Sequence, residues 1–378
     1  MTRVMLSYEG LNIGVATDRS DDAAWLEEFL LPWFAATGDT ADVTVTLTCD
    51  RSRFRALQAN GSPGEQRRVF MLDTRTMDLP SWNKPGDDIA LYDAEHHLFY
   101  LLRDRHIELV AAEAHTDCRI NLMRVVRELA MGGAQLAGHR FLHASAFSLN
   151  GRAAIVSGPR EAGKTSLLTY ALARSASGFV TNDRLLVKTA ATATTVRGMP
   201  TIVSIRAGTM DLFPGIRESI TARGYRSRAT LAETQDPEKL ARIPVKQGGG
   251  GITPRQFCTL LQREPVAEAE AAVLLFPRQT GQPGGLQLRR LDPSSACQRL
   301  QQGLFGHIGP DRLSEVFTVF PSRLSRSQAP DDPTLCQQLA AAVPAWECLL
   351  GRDSYRDGRG ADALLALLND SSGTGTAA

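Results

Sequence analysis

Between residues 41 and 50 the chain reads ADVTVTLTCD, valine and leucine alternating with threonine, the period-two pattern of a strand buried on one face. Residues 22 to 36 instead place apolar side chains at helical spacing. RRVFMLDT predicts another strand, and DIALYDAEHHLFYLLRDRHIELVAAE predicts three short ones, turning at Asp93-Ala94 and Arg103-Asp104. The first 117 residues therefore predict an α+β domain built on a mainly antiparallel sheet.

From 118 to 140 a long helical pattern follows, with Ile120, Met123, Val126, Leu129 and Ala130 on one face. Beyond it, FLHASAFSLNGRAAIVSG predicts a hairpin turned at Asn150-Gly151, a strong short-range hairpin signal. The second strand runs into a glycine-containing loop, and KTSLLTYALARSA continues as a helix burying Leu167, Leu168, Ala171 and Leu172. GFVTNDRLLVKTA and AAVLLFP predict further strands, the latter continuously apolar and so buried on both faces. Alternating strands and helices make this second part, 118–368, an α/β domain. VKQGGGGITPRQF, with four glycines in succession, is expected to be a mobile loop, and the tail from 369 to 378 to be disordered.

Composition narrows the function classes. The 378 residues carry 43% apolar and 22% charged side chains and a formal net charge of +1, which argues against a nucleic-acid-coating protein. Six cysteines without a C-x-x-C pair read as reduced thiols of a cytoplasmic protein. The N-terminal stretch lacks a signal-peptide pattern, and WLEEFLLPWFAA is too short and too interrupted to span a bilayer, so no membrane partner is expected. A homo-oligomer is left open. Only five of the 42 basic residues are lysines, which makes the position of Lys164 informative.

Lys164 lies in Gly158-Pro159-Arg160-Glu161-Ala162-Gly163-Lys164-Thr165, the G-x-x-x-x-G-K-[ST] spacing of a phosphate-cradling loop, followed by Ser166. Strand, loop and helix occur in the order the motif requires. Such a loop turns backbone N–H groups and a helix N-terminus toward phosphate oxygens. Lys164 would neutralise the outer phosphates of ATP or a related nucleotide, and the Thr165 hydroxyl would ligate Mg²⁺. A motor ATPase needs a further acid at the end of a separate apolar strand, but AAVLLFP runs on into Arg278 without one. The nearest approach to a GTPase base-reading segment, NKPGD at 83–87, has the wrong spacing and precedes the loop.

LHASAFSLNG, GPREAGKTS and FVTNDRLLV in this order resemble the catalytic core of the HPr kinase/phosphorylase family, which shares its core with phosphoenolpyruvate carboxykinases. The resemblance covers about residues 118 to 215, and more loosely the chain to about 290. It implies a P-loop kinase core, ATP and Mg²⁺ as ligands, and phosphoryl transfer to a hydroxyl. The implied acceptor is a serine or threonine of a peptide or small protein, such as a natural-product precursor. By the same resemblance Asp183 matches the second acid of a pair that handles Mg²⁺ and the acceptor hydroxyl, and His143 matches an upstream histidine near the phosphates. The first acid of that pair is replaced by Asn182, whose amide cannot accept a proton. Two alternatives stay open: a kinase for a small molecule such as a free amino acid, and a non-catalytic nucleotide-binding partner. Arg184 and Arg206 are secondary phosphate-binding candidates, though an arginine of so arginine-rich a chain more often serves as an ion-pair partner. The four-glycine run is a candidate lid.

Overall fold

The computed structural model describes residues 1–59, 65–70, 76–83, 89–103, 105–159, 161–189, 193–222, 250–304 and 332–369. The described residues up to Gly138 form one compact unit and those from His139 onward a second. The class is α/β, with a large mixed sheet in each unit. No helix among the described residues is long and apolar enough to cross a membrane.

In the first unit, strands β1 (Thr2–Tyr8), β2 (Leu11–Thr17), β3 (Ala35–Ala36), β4 (Val43–Cys49), β5 (Glu65–Phe70), β6 (Thr76–Asn83), β7 (Ile89–Asp93), β8 (Leu98–Arg103) and β9 (His106–Ala111) form one sheet. Its order is β3-β1-β2-β4-β9-β8-β7-β6-β5. The sheet is mainly antiparallel, as expected, but β4 runs parallel to both β2 and β9. Both parallel joins need crossovers, and the helices α1 (Ser20–Leu30) and α2 (Arg51–Ala59) lie on them. The alternation of β4 is realised, with Val43, Val45 and Leu47 buried. α1 buries Leu26, Phe29 and Leu30 and stops earlier than the apolar pattern suggests. Leu31, preceding Pro32, is extended at φ −79°, ψ 143°, because the proline ring excludes the helical region there. α3 (Thr116–Leu136) is the long helix expected over 118–140, and its five anticipated apolar positions are all buried.

The second unit opens with the hairpin β10 (Arg140–Leu149) and β11 (Arg152–Ser157), turned at Asn150-Gly151 with both φ angles positive, 51° and 78°. After β11 come α4 (Lys164–Arg174), β12 (Gly178–Thr181), β13 (Arg184–Thr189), β14 (Thr194–Met199) and β15 (Val203–Ile205). α5 (Ala207–Leu212) and α6 (Pro214–Ala222) follow, then β16 (Gly250–Ile252) and α7 (Pro254–Leu261). The C-terminal part holds β17 (Glu268–Gln279), β18 (Leu286–Leu291), α8 (Pro293–Gln301), α9 (Asp332–Ala342), β19 (Ala345–Leu350) and α10 (Arg359–Asn369).

The main sheet runs β11-β10-β13-β14-β17-β19-β18, and β17 also pairs with β11, so the path from β11 to β17 closes on itself. β17 lies parallel to β11 on one side and to β19 on the other, which explains its unbroken apolar run. Leu142, Ile155, Leu274 and Phe276 from the sheet join Leu300 of α8 and Leu339 of α9 in one core cluster.

Part of the glycine-rich segment expected as a mobile loop is regular structure. Gly250–Ile252 pairs with Val203–Ile205, and Thr253 opens α7 in a capping box with Gln256. The signal was the T-P-R-Q sequence, a capping-box spacing with proline at the first helical position. Gly248 and Gly249, and the tail from 370, lie outside the described residues.

Gly351, immediately after β19, lies against the β17–β18 turn so closely that a Cβ would overlap the Gly284 carbonyl. Asp353 binds the same turn, its N–H donating to Gly284 O at 3.0 Å and its carboxylate accepting from Gly284 N at 3.0 Å. Gly351→Ala should therefore lower stability by roughly 1–3 kcal/mol in denaturant titration, the scale of an overpacked site. Gly285→Ala, where a Cβ meets open space, should be near neutral. Equal effects of the two substitutions would contradict this packing.

Candidate functional site

The loop between β11 and α4 is shaped by three described residues with positive φ, Gly158 at 153°, Glu161 at 70° and Gly163 at 100°. Gly163 requires glycine on two counts: besides its φ, a Cβ there would lie 3.0 Å from Gln279 Nε2. Its carbonyl accepts the first helical hydrogen bond from Leu167 N at 2.9 Å. No side chain caps α4, so its first-turn amides lack the partner that serine or aspartate supplies at other helices.

Lys164 is 8% exposed, and its ammonium donates to the carbonyls of Gly158 at 2.7 Å and Pro159 at 3.0 Å. Burial pushes its pKa below the ordinary lysine value, opposed by the negative charge of Asp183 and reinforced by the positive charge of Arg206. A desolvated cation held by neutral carbonyls gains from an anion placed beside it. Ser157 Oγ, at the entrance to the loop, is buried without a hydrogen-bond partner among the described residues. Both observations fit a phosphate chain. Ser166 Oγ and Thr209 Oγ1, 2.8 Å apart, tie the first turn of α4 to α5. Arg160 lies outside the described residues.

On the β10 edge of β11, His143 Nε2 lies 3.0 Å from Asp183 Oδ1. The register produces this meeting: His143 of β10 pairs with Arg184 of β13, and Ala144 N donates to Asp183 O at 3.0 Å. His143 and Asp183 are 37% and 28% exposed, so a ligand can reach both. Asn182 is turned inward: its Oδ1 accepts from Thr201 Oγ1 at 2.9 Å, and its backbone carbonyl accepts from Ser145 Oγ at 2.8 Å.

Arg184 is buried, with Nε 3.8 Å from Asp183 Oδ2. Arg206 bonds Glu161 Oε1 at 2.7 Å, an exposed pair that fastens the loop to the start of α5. The structure thus gathers Lys164, Asp183, His143, Glu161 and Arg206 around one strand end. For Mg²⁺, Asp183 and the Thr165 hydroxyl are oxygen donors of the right kind. A single carboxylate and hydroxyl suit an ion that takes its remaining ligands from phosphate and water. No group of three or more His, Cys, Asp or Glu side chains forms a self-contained metal site among the described residues.

The β17 edge of β11 carries residues that the sequence did not single out. A cavity of ≈ 580 Å³ is lined by Gly158 and Pro159 of the loop together with Phe276, Arg278, Arg289 and Arg299. Behind it, Glu347 of β19 is 1% exposed. Arg278 Nε donates to Glu347 Oε1 at 3.1 Å and Arg299 Nη2 to the same oxygen at 2.7 Å. Arg289 Nη2 lies 2.7 Å from Oε2, close enough for an ion pair but without hydrogen-bond alignment. Burial raises the Glu347 pKa, but the hydrogen bonds from Arg299 and Arg278 outweigh it and hold the carboxyl below its ordinary value. Glu347 is an acid on an apolar parallel strand, the kind of residue missing from β17. Enclosed by arginines, it is not disposed as a metal ligand.

A scan against protein-family models finds no match to this chain, and a search of curated proteins finds no similar sequence.

The lowered pKa of Glu347 has a pH signature. A carboxylate whose folded pKa lies below its unfolded value contributes stability that is present above the unfolded value, about 4.3, and lost as pH falls through the folded one. Glu347→Gln should cost on the order of 2 kcal/mol at pH 7, the scale of hydrogen bonds to a charged group. The difference in melting temperature from the natural chain should hold from neutral pH to about 5 and shrink below about 4. A gap independent of pH would show that Glu347 is not held ionised by these arginines.

Proposed function

We propose that the chain is an ATP-dependent kinase that transfers the γ-phosphate to a hydroxyl, with a serine or threonine of a peptide or small protein as acceptor. The observation that carries this reading is the convergence, at one end of β11, of a buried lysine in a glycine loop with the Asp183–His143 pair. The loop amides and Lys164 would hold the triphosphate, and Thr165 and Asp183 would hold Mg²⁺, which when bound would offset the phosphate charge.

Lys164 has the larger task, since charge neutralisation and positioning dominate a loose phosphoryl-transfer transition state. As the acceptor oxygen bonds to the γ-phosphorus, the bond to the β–γ bridging oxygen breaks and ADP leaves. The acceptor proton passes to the Asp183 carboxylate. His143, 3.0 Å away, orients that carboxylate. Asn182 bonded to Thr201 supports the inner wall of the site and takes no proton.

A second reading, a nucleotide-binding partner without transfer activity, is favoured by the inward amide of Asn182 at the first acidic position. Incubation with γ-labelled ATP, Mg²⁺ and candidate acceptors separates the two. A kinase yields labelled acceptor, and Lys164→Ala lowers the rate roughly 10²-fold or more, the scale of one lost transition-state charge contact. Asp183→Ala should abolish labelling while leaving nucleotide bound. Tight ATP binding with no acceptor labelled across peptides, small proteins and amino acids would establish the second reading.

A further inference from the structure

The cavity on the β17 edge combines a phosphate loop, an aromatic wall and three guanidinium groups, and none of these three arginines has a role in the transfer step. We propose that Arg278, Arg289 and Arg299, gathered on the buried Glu347, form an oxyanion subsite that shares its cavity with the glycine loop. It would receive a phosphate or carboxylate group of the ligand complex bound there. The inference rests on the phosphate-loop reading for the identity of its neighbour, and on its own geometry for its charge.

Charge comes first. Among the described residues, three guanidinium groups meet one carboxylate, which leaves two positive charges in excess. Among the described residues the one acid on the cavity wall is Glu161, and Arg206 pairs with it at 2.7 Å. A single carboxylate would be satisfied by two such partners, so a purely structural cluster does not require the third.

Pre-organisation is the second observation. The strand order places Glu347 on β19 between β17 and β18, with Phe276 and Arg289 as its direct cross-strand neighbours. Arg299 reaches in from α8, its guanidinium 5.8 Å from the centre of the Phe276 ring. Glu347 thus fixes one side of each guanidinium from behind. The three side chains stay 31–62% exposed, with donors left over on the solvent side. Planar forks held in this way match a carboxylate or phosphate, and the fixed fork loses little entropy on binding.

The ligand's oxyanion has two sources: the phosphates of the nucleotide, or an acidic group next to the acceptor hydroxyl. The test uses the full chain with two probes, the fluorescent nucleotide mant-ATP with Mg²⁺, and citrate as an oxyanion that carries no base. Citrate binding is followed by titration calorimetry with and without saturating MgATP. Arg278→Gln/Arg289→Gln should weaken citrate about tenfold or more, the scale of two charge-assisted contacts, whereas Lys164→Ala should leave citrate within about twofold. If citrate binds beside MgATP, the oxyanion is the acceptor's. If the two compete and the double variant also weakens mant-ATP about tenfold, it is the nucleotide's.

Unchanged affinity for both probes in the folded double variant overturns the subsite, and so does a wild-type chain that fails to bind citrate while the double variant binds mant-ATP normally. Full mant-ATP affinity in Lys164→Ala would instead contradict the phosphate-loop reading and leave the citrate result standing. Should the double variant fail to fold, Arg289→Lys keeps a charge on Glu347 while removing the guanidinium fork. It should weaken citrate several-fold, and unchanged citrate affinity in it overturns the proposal equally.

Discussion

A buried ammonium group is costly unless its surroundings compensate it, and the loop between β11 and α4 meets that requirement at Lys164. Two loop carbonyls accept its hydrogen bonds, Asp183 contributes a nearby negative charge, and Gly163 supplies the left-handed turn that aims the side chain back into the loop. Each compensation is partial. Neutral carbonyls replace water's hydrogen bonds but carry no charge, and the Asp183 carboxylate is engaged with His143 as well. A cation confined without full neutralisation gains from an anion placed beside it.

The strand order distributes the chemistry. β11 is bordered by antiparallel β10 on one edge and parallel β17 on the other. The first edge brings His143 and Asp183 to the loop, and the second brings a cavity walled by arginines. The Asp183–His143 pair and the arginine-walled cavity thus lie on opposite sides of one strand end.

Much of this was legible in the sequence where the interactions are local. The Asn150-Gly151 turn, the run of β11 into the loop and the start of α4 are separated by a dozen or so residues, and turn chemistry and periodicity specify them. His143 and Asp183 were found because short segments around them resemble a known core, and the pairing of β10 with β13 then brings them together. Glu347 and its arginines were not legible. Their hydrogen bonds span 48 and 69 positions, and nothing in the local pattern of WECLL or FPRQ says that two parallel strands will lie side by side. The glycine run misled for the complementary reason: conformational freedom in the isolated chain says nothing about a non-local partner, and Gly250 and Gly251 find theirs in β15. The same limit applies to β4, whose alternation predicted a strand but not its parallel neighbours.

The central claim is that the backbone between β11 and α4 encloses a triphosphate. Amide hydrogen exchange of the full chain, measured with and without ATP and Mg²⁺, tests it without knowledge of the acceptor. Marked slowing is expected in the peptides that cover Gly158 to Ser166, with a smaller effect around Asp183. Unchanged exchange across that loop at nucleotide concentrations that saturate binding would contradict it.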